Sequence, residues 1–267
     1  MVNLAFIQVT AVAALFWTLT ACRSEEYPKC GDCWCVPRNG KPSLCPSNAP
    51  VSQFSDETIR LFQQPSPAWV YTLTCNPYSN SSCTTEPLQT ELETDSAVCG
   101  FVDWDCSTYS MQTFKSREDA DLAEARITHK GSCGLCSTAQ DLSIYLREDF
   151  TTEGKKCASL ALLDEQLGLM CYQEIGLTEE CARIWNYDGI FDASACGKTC
   201  AGSLTAPNNG PPPMCELNDC LACDETEAGP VFSSFAARTR RRSGLVSEII
   251  RDCESIAKDI VHDPTCP

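Results

Sequence analysis

Basic residues are scarce in this chain. Lys and Arg number 20 against 36 Asp and Glu in 267 residues, so the formal net charge is −16. Phosphate backbones repel such a protein, and no broad basic face offsets that; nucleic-acid binding is excluded as a reading. Histidine is scarcer still, with only His129 and His262. After Leu19 no apolar run approaches the length a bilayer helix needs. There is no internal repeat, and no G-x-S-x-G, P-loop or G-x-G-x-x-G stretch. Calcium is poorly served, because Asn186-Tyr187-Asp188-Gly189 resembles part of an EF-hand loop but lacks its terminal Glu.

Cysteine is abundant, at 21 residues. Persistent disulfides need an oxidising compartment, and the N-terminus agrees. Leu4 to Leu19 is almost wholly apolar and is followed by the small residues Thr20 and Ala21, which reads as a removable signal peptide over 1–22. Leu19-Thr20-Ala21-Cys22 also resembles a bacterial lipobox, although no Lys or Arg precedes the apolar run. Setting Cys22 aside leaves an even set: Cys30, Cys33, Cys35, Cys45, Cys75, Cys83, Cys99, Cys106, Cys133, Cys136, Cys157, Cys171, Cys181, Cys196, Cys200, Cys215, Cys220, Cys223, Cys253 and Cys266. Their connectivity is not fixed by spacing. One glycosylation sequon, Asn80-Ser81-Ser82, suits a surface loop of a secreted chain.

The organisation follows from composition and period. Residues 23–60 crowd Cys with Pro and form a crosslinked arm or knob. Within 61–130, the stretches 68–75, 97–103, 109–115 and 126–130 carry β-branched and aromatic residues, predicting a small antiparallel sheet. The segment SREDADLAEA between the last two is a helical turn or a loop. Over 131–267 the period becomes helical. Ser137 and Gln140 have capping-box spacing, and one helix is expected from Lys156 to Glu174, stopping at Gly176. Thr178 and Asp192 are candidate caps for two further helices. Asn, Gly and Pro at 202–213 make a loop. A helix is predicted from Pro230 to about Arg242, and a last one over Leu245–Ile260 from its i, i+1, i+4, i+5 apolar rhythm. The fold class is therefore α+β and disulfide-rich: a small antiparallel β part, then a crosslinked helical part.

Cys133-Gly134-Leu135-Cys136 carries three readings. A CxxC at a helix start resembles the thioredoxin active site, but lacks its proline and the surrounding βαβ pattern. Gly131 to Cys136 also resembles the papain-type stretch. By that resemblance Cys136 is the nucleophile, yet Lys130 stands where the family has Gln, and no Asn follows His262 to orient it. The third reading is structural pairing, and it is the favoured one. His129, four residues before Cys133, is the base in either thiol chemistry or else a hydrogen-bonded scaffold residue. Cys220-Leu221-Ala222-Cys223 is a second CxxC; secretion favours oxidation over zinc, so no cofactor or metal is expected.

Arg238, Arg240, Arg241 and Arg242 form the one basic cluster. Pairing with carboxylates, an anion site and a processing signal all fit. The runs THKGSCGLCSTAQDL, LTEECARIW and GPVFSSFAARTRRRSGL resemble cysteine-rich secreted proteins of algae and oomycetes, a group that supplies no site residues and implies a eukaryotic signal peptide. The resulting expectation is a secreted extracellular or cell-surface binding protein, without catalysis, for an unknown partner. The alternative is a secreted thiol enzyme using Cys133 or Cys136.

Overall fold

The alternation at 97–103, 109–115 and 126–130 becomes the centre of a four-stranded sheet. The computed structural model describes residues 54–90, 96–203, 206–211, 215–251 and 255–266. The signal-peptide reading, the Cys/Pro-rich stretch through residue 53, and Cys22, Cys30, Cys33, Cys35, Cys45 and Cys253 lie outside them. Helix α1 (Asp56–Gln63) opens the described chain. Its N-terminal amides are met by Ser55, whose hydroxyl accepts from Thr58 N at 3.1 Å. Three two-residue strands follow: β1 (Ser66–Pro67), β2 (Thr72–Leu73) and β3 (Thr85–Glu86). Then come β4 (Val98–Val102), β5 (Thr108–Phe114), helix α2 (Arg117–Leu122) and β6 (Arg126–Lys130).

The sheet order is β1-β5-β4-β6. Strand β4 pairs antiparallel with both long neighbours, and β1 adds in parallel to β5. Strands β2 and β3 make a separate antiparallel pair. The expected strand over 68–75 shrinks to Thr72–Leu73, while Ala68 N instead donates to Tyr109 O of β5. Period two gives the sheet two apolar faces. Phe101, Tyr109 and Met111 join Ile59 and Phe62 of α1 and the buried residues of the helical half in one core. Val98, Phe114 and Ile127 pack with Ala120 of α2, Ala257 and Ile260 in a second.

The helical half begins with α3 (Ala139–Arg147). Its N-cap is Thr138, one residue later than the predicted Ser137. Thr138 Oγ1 accepts from Asp141 N at 3.0 Å and donates to Asp141 Oδ2 at 2.6 Å. Ser137 is instead held by His129. The single helix expected over Lys156–Glu174 is two, α4 (Phe150–Ala161) and α5 (Glu165–Ile175). Asp164 divides them, because its carboxylate accepts from Gln166 N and Leu167 N and so starts a new helix. Gly176 closes α5 at φ 114°, as its sequence position predicted. Helix α6 runs unbroken over Glu179–Ser203, so Asp192 sits mid-helix and is not a cap. Helices α7 (Asp219–Glu227) and α8 (Gly229–Phe235) complete the set.

The helix predicted over Leu245–Ile260 does not form among the described residues. Its backbone groups bond elsewhere. Arg240 Nε donates to Val246 O, Glu248 N donates to Asp149, and Ile250 N and O both bond Asn209. Helix α8 likewise stops short of the predicted Arg242, since Ala237 has φ 66°.

Six disulfides with both ends among the described residues brace this arrangement. Cys99–Cys133 ties β4 to the turn before α3, and Cys136–Cys181 ties that turn to α6. Cys157–Cys171 links α4 to α5, while Cys196–Cys223 and Cys200–Cys220 link α6 to α7. Cys106–Cys266 anchors the C-terminus beside the sheet, and Cys215 is also disulfide-bonded. Cys75 and Cys83, expected in bridges, are both thiols here. No helix among the described residues is long and apolar enough to cross a membrane.

Replacing both Cys136 and Cys181 by Ala opens a link of 45 residues' separation, and the unfolding free energy is expected to fall by about 2–4 kcal/mol. Denaturant titration of the double variant against the parent measures it.

Candidate functional site

The turn carrying Cys133 and Cys136 offers no reactive thiol. Both residues are fully buried and bonded to different partners, Cys99 and Cys181. The turn lies against the end of α8, where Leu135 N donates to Phe235 O and Cys136 N to Ala236 O. Gly134 permits this approach, since a Cβ there would stand 2.5 Å from Phe235 O. His129 is fully buried beside the turn. Its Nδ1 lies 2.9 Å from Lys130 O, a group that only accepts, so Nδ1 carries the proton. Its Nε2 then accepts from Ser137 Oγ at 2.8 Å, and the same hydroxyl accepts from Gly134 N. Burial, and then the nearby Arg238 charge, hold His129 well below the ordinary imidazole range. It is a neutral scaffold residue closed to substrate, and the alternative thiol reading finds neither Cys133 nor Cys136 as a free thiol in this structure.

The arginine cluster is likewise occupied. Arg238 is fully buried and donates to Cys136 O, Ser137 O, Thr128 O, Thr128 Oγ1 and Ser243 Oγ. Arg240 donates to Tyr145 O, Glu148 O and Val246 O and lies 3.5 Å from Asp149. Arg242 donates to Ser233 O and Ala237 O. Arg241 pairs with Glu225 at 3.1 Å. These guanidiniums hold carbonyls and carboxylates of the protein, which removes the basis for an anion site at Arg238–Arg242. Cys220 and Cys223 are bonded to Cys200 and Cys196, so they form no zinc pair.

A site that the sequence did not announce lies among the helices. A cavity of about 340 Å³ opens between α4, α5, α6, α7, α8 and the 239–251 segment, near the lower end of the ~300–1,000 Å³ span of ligand pockets. Phe150, Tyr172, Trp185 and Phe232 give it aromatic walls, with Leu221 and Leu245 beside them. Trp185 meets Phe232 edge-on at 4.6 Å and is fixed by an Nε1 bond to Tyr145 Oη at 3.1 Å. Trp185, Asp188 and Asp192 recur at the three- and four-residue spacing of one helix face, so α6 presents all three to the cavity.

Charge is unevenly matched there. The cavity is lined by Asp149, Asp188, Asp192, Asp224 and Glu225, and by Lys155, Arg240, Arg241 and Arg251. Asp149 faces Arg240, and Glu225 holds both Arg241 and Arg251. Among the described residues no ion pair joins Asp188, Asp192 or Asp224 to a Lys or Arg. Asp188 Oδ1 accepts from Tyr78 Oη at 2.5 Å, and Tyr78 stacks on Phe191. Asp192 Oδ1 is buried without a hydrogen-bond partner. Burial first, then the fields of Asp224, Asp192 and Glu225, push Asp188 up to about 8. Burial first, then Asp192 and Glu225, push Asp224 up to about 7, with Arg251 only partly offsetting them. Burial also raises Asp192. Among the described residues no three His, Cys, Asp or Glu side chains converge as metal ligands.

Residues 165–259 match the model of a family of unknown function, DUF8771. That span holds Trp185, Asp188, Asp192, Asp224 and the arginine cluster. No curated protein and no solved structure matches the chain.

A carboxyl whose folded value is raised favours folding when protonated, so that contribution is complete below the unfolded value near 3.8 and lost as pH rises through about 8. Relative to Asp188→Asn, the parent protein is expected to lose stability steadily across that window and then level off, as denaturant titrations at stepped pH will read. Arg238→Met leaves its buried acceptors without donors and is expected to cost at least about 3 kcal/mol in the same measurement.

Proposed function

We propose that the protein is a secreted, disulfide-stabilised binding protein without catalytic activity, and that its cavity takes a small organic cation with an apolar body. The observation that carries this is the mismatch inside the cavity. Its three arginines are engaged by Asp149 and Glu225, whereas no ion pair among the described residues reaches Asp188, Asp192 or Asp224, which line the same space as the aromatic faces. An ammonium group suits such a place twice over, through carboxylates and through ring quadrupoles. The apolar body fits the walls formed by Trp185, Phe232 and Leu221. A carboxylate or phosphate ligand would meet three acids without an ion-pair partner instead.

Secretion is supported by the apolar run Leu4–Leu19 and by the density of bridges. Glycosylation at Asn80 is supported by its exposure on a turn where its Oδ1 accepts from Ser82 N. The absence of catalysis is supported by the bonding of both CGLC sulfurs to other elements.

Titration of the tryptophan fluorescence with 2-phenylethylamine and with 3-phenylpropionate tests the reading. The amine is expected to bind and the carboxylate not. Its affinity is expected to rise between about pH 6 and pH 9, as Asp224 and Asp188 ionise while the amine stays charged. Asp188→Asn or Asp224→Asn is expected to weaken the amine roughly tenfold, the scale of one charge-assisted hydrogen bond. Equal binding of the two probes, or none by either, refutes it.

A further inference from the structure

Cys75 and Cys83 differ from the other described cysteines, thirteen of which are disulfide-bonded. The β2–β3 register sets Thr72 opposite Glu86 and Leu73 opposite Thr85. Thr74 N continues the ladder to Thr84 O at 3.1 Å, so the next cross-strand pair is Cys75 and Cys83. A directly opposed pair brings its side chains together. Thr74 Oγ1 accordingly lies 3.8 Å from both sulfurs, and Cys83 Sγ donates to Cys75 O at 2.6 Å. No third free thiol competes for either one among the described residues.

The loop between them reaches Asp188, a residue of the cavity lining. Tyr78 N donates to Asn76 Oδ1, and Tyr78 Oη donates to Asp188 Oδ1 with Ala228 O 3.3 Å away. The two sulfurs therefore stand at the neck of the loop whose tip covers Asp188.

We propose that Cys75 and Cys83 form a redox-responsive dithiol, reduced in this structure, whose oxidation to a disulfide closes the neck of the Tyr78 loop and clamps Tyr78 on Asp188. The oxidant is a small or protein disulfide of the glutathione or oxidoreductase class. Cys75 is half-buried and Cys83 buried, which assigns the first attack to Cys75. Its thiolate, having lost its proton to solvent, attacks one sulfur of the oxidant; a mixed disulfide forms and one oxidant thiolate leaves. The Cys83 thiolate, deprotonated in turn, attacks the Cys75 sulfur. The intrachain S–S bond forms and the second oxidant thiolate departs. Two protein thiols are oxidised by two electrons, and one disulfide is reduced to two thiols.

The test treats the whole secreted protein with dilute dithiothreitol, desalts it and exposes half to glutathione disulfide. Native alkylation and non-reducing peptide mapping follow. Alkylation is expected at Cys75 and Cys83 alone before oxidation. After oxidation that label is expected to be lost, and a peptide joining Cys75 to Cys83 to appear. Label persisting at both, glutathione retained on Cys75, or a bridge to any other cysteine overturns the proposal. Hydrogen exchange over residues 76–82 reads the clamp. Slower exchange on oxidation in the parent, with the slowing lost in Tyr78→Phe although its bridge still forms, supports it. No slowing in the parent, or the same slowing in both proteins, overturns the clamp. None of these readouts uses a cavity ligand, so they stand or fall apart from the amine titration.

Discussion

The guanidinium of Arg238 is the interaction on which the arrangement turns. It is wholly buried, and its donors reach Thr128 of β6, Cys136 and Ser137 of the CGLC turn, and Ser243 of the C-terminal segment. A buried cation is costly unless surrounded by acceptors. Here three carbonyls and two hydroxyls meet it, with Asp141 contributing its field from α3. Burial lowers Arg238 only to about 10, so it remains charged at neutral pH. The disulfides Cys99–Cys133 and Cys136–Cys181 clasp the same turn from the sheet and from α6. The neutral state of His129 follows from this, because a second cation beside Arg238 in a dry site is disfavoured.

From that junction the chain runs on to build the cavity. Arg240 gathers a different set of acceptors, Tyr145 O, Glu148 O and Val246 O. It therefore ties the 245–251 segment to the end of α3 and the start of α4. Asp149 and Asn209 meet further amides of the segment. Leu245, Val246, Ile249 and Ile250 thereby become a cavity wall. The arginines are thus consumed by architecture, and the acids of α6 and α7 are left facing the space they enclose.

How much of this was legible depends on whether the signal is local. Strands β4, β5 and β6 were readable because alternation is a property of each strand alone. Gly176 was readable because a left-handed cap needs a residue without Cβ. The division of α4 from α5 was overlooked although Asp164 announces it, since the apolar rhythm on either side masks a cap. The helix over Leu245–Ile260 failed for the opposite reason. Its rhythm is genuine, but periodicity reports which side chains are buried and not where the amides bond, and three distant side chains supply those partners. Asp192 reads as a cap from its neighbours, and Asp188 belongs to a stretch rejected as a calcium loop, so neither suggests a pocket. Their spacing from Trp185 on one helical face was the only available sign of the cavity. Asp224 and Phe232 reach it from separate segments, so no sequence window contains it.

The distribution of sulfur makes physical sense beside such a space. Apolar helices collapse onto a void unless something fixes their separation, since each unfilled surface forfeits contacts. Three of the walls are α4, α6 and α7. Cys157–Cys171 fastens α4 to α5, and Cys196–Cys223 with Cys200–Cys220 fasten α6 to α7 at two points one helical turn apart. Cys220 itself lines the cavity. Gly189 brings α6 close to α4, where a Cβ would stand 2.8 Å from Ala158, and so sets the width of the floor beside Asp188. Covalent spacing of this kind allows buried carboxyls and aromatic faces to be held without mutual contact. That condition is what a pre-formed binding site requires, and side-chain packing alone seldom maintains it in a domain with so much acid to bury.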